Sequence, residues 1–170
     1  MVLGVKNADF FNVDFFGNWK NLSDELENVD GVEQVISIFS TQVLEKSKVE
    51  KNFQPKLLFD GDLKSQSRID SLSELYSNQP FYAGAFYNFN NHTSFIAINI
   101  DDETLASKAR MKLLEDIYAI SDEYLRPFKL EAKYSGLPYI RTSVANSVKS
   151  EMQLFSILSL VICASILLIF

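Results

Sequence analysis

A chain of 170 residues has room for one domain with a core of its own and a short appendage. Its 22 acidic side chains outnumber 16 basic ones, a formal net charge of −6, which argues against a nucleic-acid partner because phosphate binding needs a basic face. Cys163 is the only cysteine, so an intrachain disulfide is excluded.

Val2 to Val5 is a short apolar run and reads as a buried strand. From Val13 to Asn28, apolar residues recur every three or four positions (Val13, Phe16, Trp19, Leu22, Leu26), which predicts a helix capped by Asn12 and stopped at Asp30-Gly31. Val32 to Ser40 is rich in β-branched and aromatic residues and predicts a strand. Residues 41–92 are less regular. Gln42 to Lys46 and Asn52 to Phe59 read as strands, and Asp62 to Ser77 as a polar helix with Ile69, Leu72 and Leu75 on its inner side. An aromatic stretch follows, Phe81 to Phe89, and Asn90-Asn91-His92 predicts a hairpin turn.

Regularity returns at Thr93. Ile96, Ile98 and Ile100 alternate as in a strand with one buried face. Asp101 or Asp102 is positioned to cap a helix over Glu103 to Arg126, whose stripe is Leu105, Ala109, Leu113, Ile117, Ile120 and Tyr124, with Pro127 stopping it. Lys129 to Tyr134 alternates again, a strand with one wet face. Without 41–92, the order is strand–helix–strand twice over. That is the split βαβ pattern of an α+β, ferredoxin-like sandwich, with 41–92 as an insertion. Domain 1–136 results. Ser135-Gly-Leu-Pro138 turns the chain out of the sheet, and 137–151 forms a connecting helix with Ile140, Val144 and Val148 at intervals of four.

No charged residue follows Glu151. Residues 152–170, which end FSILSLVICASILLIF, would rise about 28 Å as a helix, against about 30 Å of bilayer core. A transmembrane helix is predicted, truncated because no polar flank closes it. The first residues show no basic start and apolar core of a signal peptide. The sequence therefore reads as a piece of a longer membrane protein.

Ser135-Gly-Leu-Pro-Tyr-Ile-Arg-Thr142, a helix carrying Lys149-Ser-Glu151 and then an apolar span resemble one passage of the RND (resistance–nodulation–division) superfamily, in its MMPL-type exporter branch. Asp30-Gly-Val-Glu-Gln-Val35 resembles the start of a strand in the same family. The resemblance implies the first extracytoplasmic porter domain and the start of the second transmembrane helix of a proton-driven, multi-pass inner-membrane transporter of lipids or other hydrophobic molecules. Its partners would be the bilayer, the remaining transmembrane helices, a second porter domain and a hydrophobic substrate. Its proton-relay residues would lie on later helices. Arg141 and Lys149 beside the span favour, by themselves, a cytoplasmic domain.

Phe81, Tyr82, Phe86 and Tyr87 are candidates to contact an apolar substrate, against the alternative that they fill the core of the insertion. Ser156, Ser159 and Cys163 fall at three and four on the span, a small-residue stripe suited to helix packing unless the serines bond their own backbone. His92, the only histidine, reads as a solvated loop residue, with no second histidine to build a metal site. Asp60-Gly-Asp62 and Asp101-Asp-Glu103 read as helix caps rather than cation sites. Asn21-Leu-Ser23 and Asn91-His-Thr93 match the glycosylation pattern. With no nucleophile–base pair, phosphate loop or ligand cluster in the sequence, neither an enzyme nor a cofactor is expected. The alternative to a transporter is a single-pass, membrane-anchored ligand-binding or sensor domain.

Overall fold

The computed structural model describes residues 1–46, 53–82 and 84–169. Of the positions discussed above, Asn52, Ala83 and Phe170 lie outside them. The chain forms two compact units, Met1–Ser135 and Gly136–Phe170. The fold is mixed α+β, with antiparallel sheets in the first unit and an apolar helix as the second.

Strand β1 (Val2–Lys6) buries Leu3 and Val5 on one side, as alternation in a strand requires. Helix α1 (Val13–Glu27) starts at Asn12, whose side chain accepts from the Asp14 N–H at 3.0 Å. Its apolar stripe buries Phe16, Trp19, Leu22 and Leu26 completely, each contributing about 1.5–3 kcal/mol of transfer free energy. Gly31, at φ +94, turns the chain into β2 (Val32–Ile36), a backbone angle that a side chain would strain.

β2 is shorter than the predicted 32–40. Ser37 ends it, its hydroxyl capping a 3₁₀ turn over Ile38–Ser40 through the Phe39 N–H. β3 (Gln42–Lys46) and β4 (Phe53–Leu57) pair as a separate two-stranded sheet. Helix α2 (Gln66–Ser77) begins four residues later than expected, and its inner side is Ile69, Leu72 and Tyr76, while Leu75 is exposed. The phenol explains the difference: the Tyr76 hydroxyl donates to the Tyr82 carbonyl at 3.1 Å and accepts from the Tyr87 N–H at 3.3 Å. Gln66 ties α2 to the start of α1, its amide oxygen accepting from the Val13 N–H and its nitrogen donating to the Phe11 carbonyl.

Strand β5 (Tyr87–Asn88) forms a hairpin with β6 (Thr93–Ile100) through the foreseen turn, with His92 left-handed at φ 56. The expected long helix at 103–126 is two: α3 (Asp102–Ala106) and α4 (Ala109–Leu125). Ser107 breaks it. Its backbone is extended, and its hydroxyl accepts from the Ala109 N–H at 3.1 Å, satisfying a donor that a continuous helix would satisfy itself. Ala109, predicted on the inner stripe, is consequently exposed at the start of α4. Strand β7 is only Lys133–Ser135 instead of 129–134. The helix end uses the difference: a 3₁₀ turn at Arg126–Phe128 closes on left-handed Lys129, and the Leu130 N–H returns to the Leu125 carbonyl.

The main sheet runs β2-β6-β1-β7 with every pair antiparallel, and β5 sits beside the first residues of β6. Leu3, Val5, Ile96, Ile98 and Ile100 from the strands join the stripes of α1 and α4 in one core. Phe10 sits centrally, stacked on Tyr87 at 4.7 Å and edge-on to Phe15, Phe16 and Trp19. In the second unit Gly136, at φ +109, precedes helix α5 (Leu137–Ile169). The connecting helix 137–151 runs into the span with no breaker between them, as the sequence leads one to expect, and up to Ile169 the two are one helix of 33 residues, about 50 Å long.

Candidate functional site

α5 is long and apolar enough to cross a membrane, with a mean hydropathy of 2.0 and no residue of its most apolar window buried. A helix satisfies its own backbone groups, which is what hydrocarbon demands of a spanning segment. From Met152 onwards its large apolar side chains are spread around the helix rather than along a stripe: Leu154, Phe155, Leu160 and Ile166 are all more than half exposed. Arg141, Lys149 and Glu151 are confined to the polar half of the helix.

Ser156, Ser159 and Cys163 lie on α5 and are exposed. Ser165 bonds back to its own helix, its hydroxyl donating to the Val161 carbonyl at 2.8 Å. Among the described residues, neither Ser156 nor Ser159 makes such a bond. Ile140, Val144 and Val148 are exposed as well.

The aromatic stretch does not act as one wall. Tyr87, put forward as a substrate contact, is 2% exposed and packed among Phe10, Phe11 and Phe89. It is a core residue, and burial, with the Asp9 carboxylate adding to it, pushes its phenol above the usual range. Tyr82 and Phe86 stack at 6.4 Å on the edge of the core. Phe81 meets Tyr82 edge-on at 5.0 Å but is otherwise bare, 86% exposed.

His92 is exposed, yet it is more than a solvated loop residue. Its Nδ1 lies 3.1 Å from the Tyr87 hydroxyl and its carbonyl accepts from the Asn7 N–H. Asp101 caps α3 through the Thr104 N–H at 2.7 Å, and hydrogen bonding from the Thr104 hydroxyl first, then from its N–H, holds the Asp101 carboxyl below the usual range. Asp60-Gly-Asp62 caps no helix. The Asp60 carbonyl accepts from Arg68, and the Asp62 carboxylate accepts from the Lys64 N–H. Of the two glycosylation patterns, Asn21 lies within α1 beside buried Ser23, and Asn91 lies in the exposed β5–β6 turn.

The sequence reading missed a groove of about 600 Å³ between α1 and two stretches of chain, residues 34–42 and 57–61. Its signal on α1 is Lys20, Asp24 and Glu27, spaced four and three and so on one helical face. No known family model matches the chain, and no curated protein matches it.

Proposed function

We propose that this chain is the porter-domain portion of a proton-driven exporter of the RND superfamily, MMPL type, which moves lipids or other hydrophobic molecules across the inner membrane. The observation that carries the reading is the sheet order β2-β6-β1-β7, leaving through Ser135-Gly136-Leu137-Pro138 into an unbroken apolar helix. That order, with α1 and α4 as the two crossovers, supports a ferredoxin-like split βαβ domain with an insertion between its halves. In this reading the domain is extracytoplasmic and not an enzyme, α5 is the second transmembrane helix, and Ser156, Ser159 and Cys163 face another helix of the bundle. Phe81, with Tyr82 and Phe86 behind it, contacts the hydrophobic cargo.

The contiguous coding DNA tests this directly. A basic residue and further apolar spans beyond Phe170, with one span upstream of Met1, are expected. A stop codon after Phe170 with an authentic start at Met1 overturns it. A single-pass anchored binding or sensor domain then replaces it. That second reading draws on α5 being one candidate span among the described residues. In the intact transporter, Phe81→Ala is expected to lower export while leaving thermal stability unchanged.

A further inference from the structure

The groove beside α1 has an acidic rim and an aromatic wall, and the exporter reading does not use it. Asp24, Glu27 and Asp60 line it against one cation, Lys20. The Lys20 ammonium lies 2.6 Å from the Asp24 carboxylate and 5.9 Å from the centre of the Phe39 ring. A carboxylate on one side and a ring face on the other is how proteins hold alkylammonium groups. The Phe39 ring is braced for that task by Phe16 at 5.0 Å and by Phe59 edge-on at 6.1 Å, with Phe59 itself buried. Among the described residues, Glu27 and Asp60 have no ion-pair partner. The Arg68 guanidinium, which donates to the Asp60 carbonyl at 2.9 Å, lies beside Asp60, so Glu27 is the carboxylate left without a cation, and a concave acidic surface concentrates cations.

We infer that this groove binds a small organic ammonium ion, and that Lys20 occupies one ammonium position in its absence. A divalent metal fits the site less well, because no three His, Cys, Asp or Glu side chains among the described residues converge as a ligand set. A volume of about 600 Å³ is in the usual range for small-molecule sites. The inference concerns the first unit alone and stands or falls independently of the exporter reading.

The test is calorimetric titration of the full chain in detergent micelles with choline and with ethanolamine. Each is compared with its neutral analogue, 3,3-dimethylbutan-1-ol or ethylene glycol. At least one ammonium ion is expected to bind at millimolar concentration or below while its neutral analogue does not. The ion that binds tells a quaternary from a primary site. Glu27→Gln and Asp60→Asn should each weaken binding about fivefold, and Phe39→Leu by at least as much. Lys20→Met should tighten it by a similar factor, because it empties an ammonium position and keeps the aliphatic stem. Glu27 and Lys20 are surface positions on α1, so those variants remain informative if Phe39→Leu fails to fold. Absence of binding by both ions, equal binding of the neutral analogues, or unchanged affinity in both Lys20→Met and Glu27→Gln overturns the inference.

Discussion

Trp19 and Leu160 are both large apolar side chains on helices, and they meet opposite fates. Trp19 is fully buried, surrounded by Phe10, Phe15 and the rest of the α1–α4 core. Leu160 is 71% exposed, on a helix whose most apolar window has no buried residue. In the first unit, apolar residues follow a period and find their partners inside the chain. On the second half of α5 large apolar residues point in every direction, and none in its most apolar window is buried within the chain. A stripe therefore marks a core inside the chain, whereas a long apolar helix without one is of the kind that can cross a membrane.

The largest blow to the first side of that contrast is Phe10→Ala. It removes a ring contacting Phe11, Phe15, Phe16, Trp19 and Tyr87, and the first unit should lose about 3–5 kcal/mol in urea unfolding with membrane retention unchanged. The mirror experiment is Leu160→Arg. It should cost about 3 kcal/mol of membrane insertion and shift the chain from the carbonate-resistant pellet towards the supernatant, with unchanged unfolding of the first unit. Equal retention of both forms would break the contrast.

Smaller effects sharpen it. Tyr76→Phe leaves the buried Tyr87 N–H without its acceptor and should cost about 1–3 kcal/mol. Gln66→Ala cuts both bonds joining α2 to the start of α1 and should cost about 1–2 kcal/mol, read as faster local hydrogen exchange in α2. The smallest effect is alkaline. Burial pushes the Tyr134 phenol up to about 12 from 10.0. The unfolded chain then gives up this proton before the folded one does. The stability due to Tyr134 is therefore complete below about pH 10 and falls as pH rises towards about 12. A flatter urea-midpoint profile in Tyr134→Phe over that window is expected.

Much of this was legible because periodic burial leaves a periodic sequence. Leu3 and Val5, the Phe16–Trp19–Leu22–Leu26 stripe and the Ile96–Ile98–Ile100 alternation all point inward as read. What escaped the sequence was decided by single polar atoms. The Ser107 hydroxyl breaks a helix that contains no glycine or proline at that point. The Tyr76 hydroxyl turns α2 so that a phenol rather than Leu75 lies inside. The candidate substrate contacts separated for a related reason. Adjacent aromatics on an irregular segment carry no period, so nothing in Phe81 to Tyr87 announced that Tyr87 would enter the core and Phe81 would stay out. The groove escaped because its two walls come from segments distant in sequence, joined only when β3 and β4 fold back beside α1.

The place of β1 in the sheet also sets a timetable. It lies between β6 and β7, and its ladder begins where the Ile98 N–H reaches the Met1 carbonyl, two residues 97 positions apart. Neither neighbour of β1 exists until most of the first unit has been made. At about 5–20 residues per second of synthesis, this apolar strand waits for seconds with both edges open. Contacts this distant make the sheet slow to close, whereas the β3–β4 hairpin is local and pairs early. The β3–β4 pair is therefore the first strand pairing positioned to form, with β1 completing its pairing last.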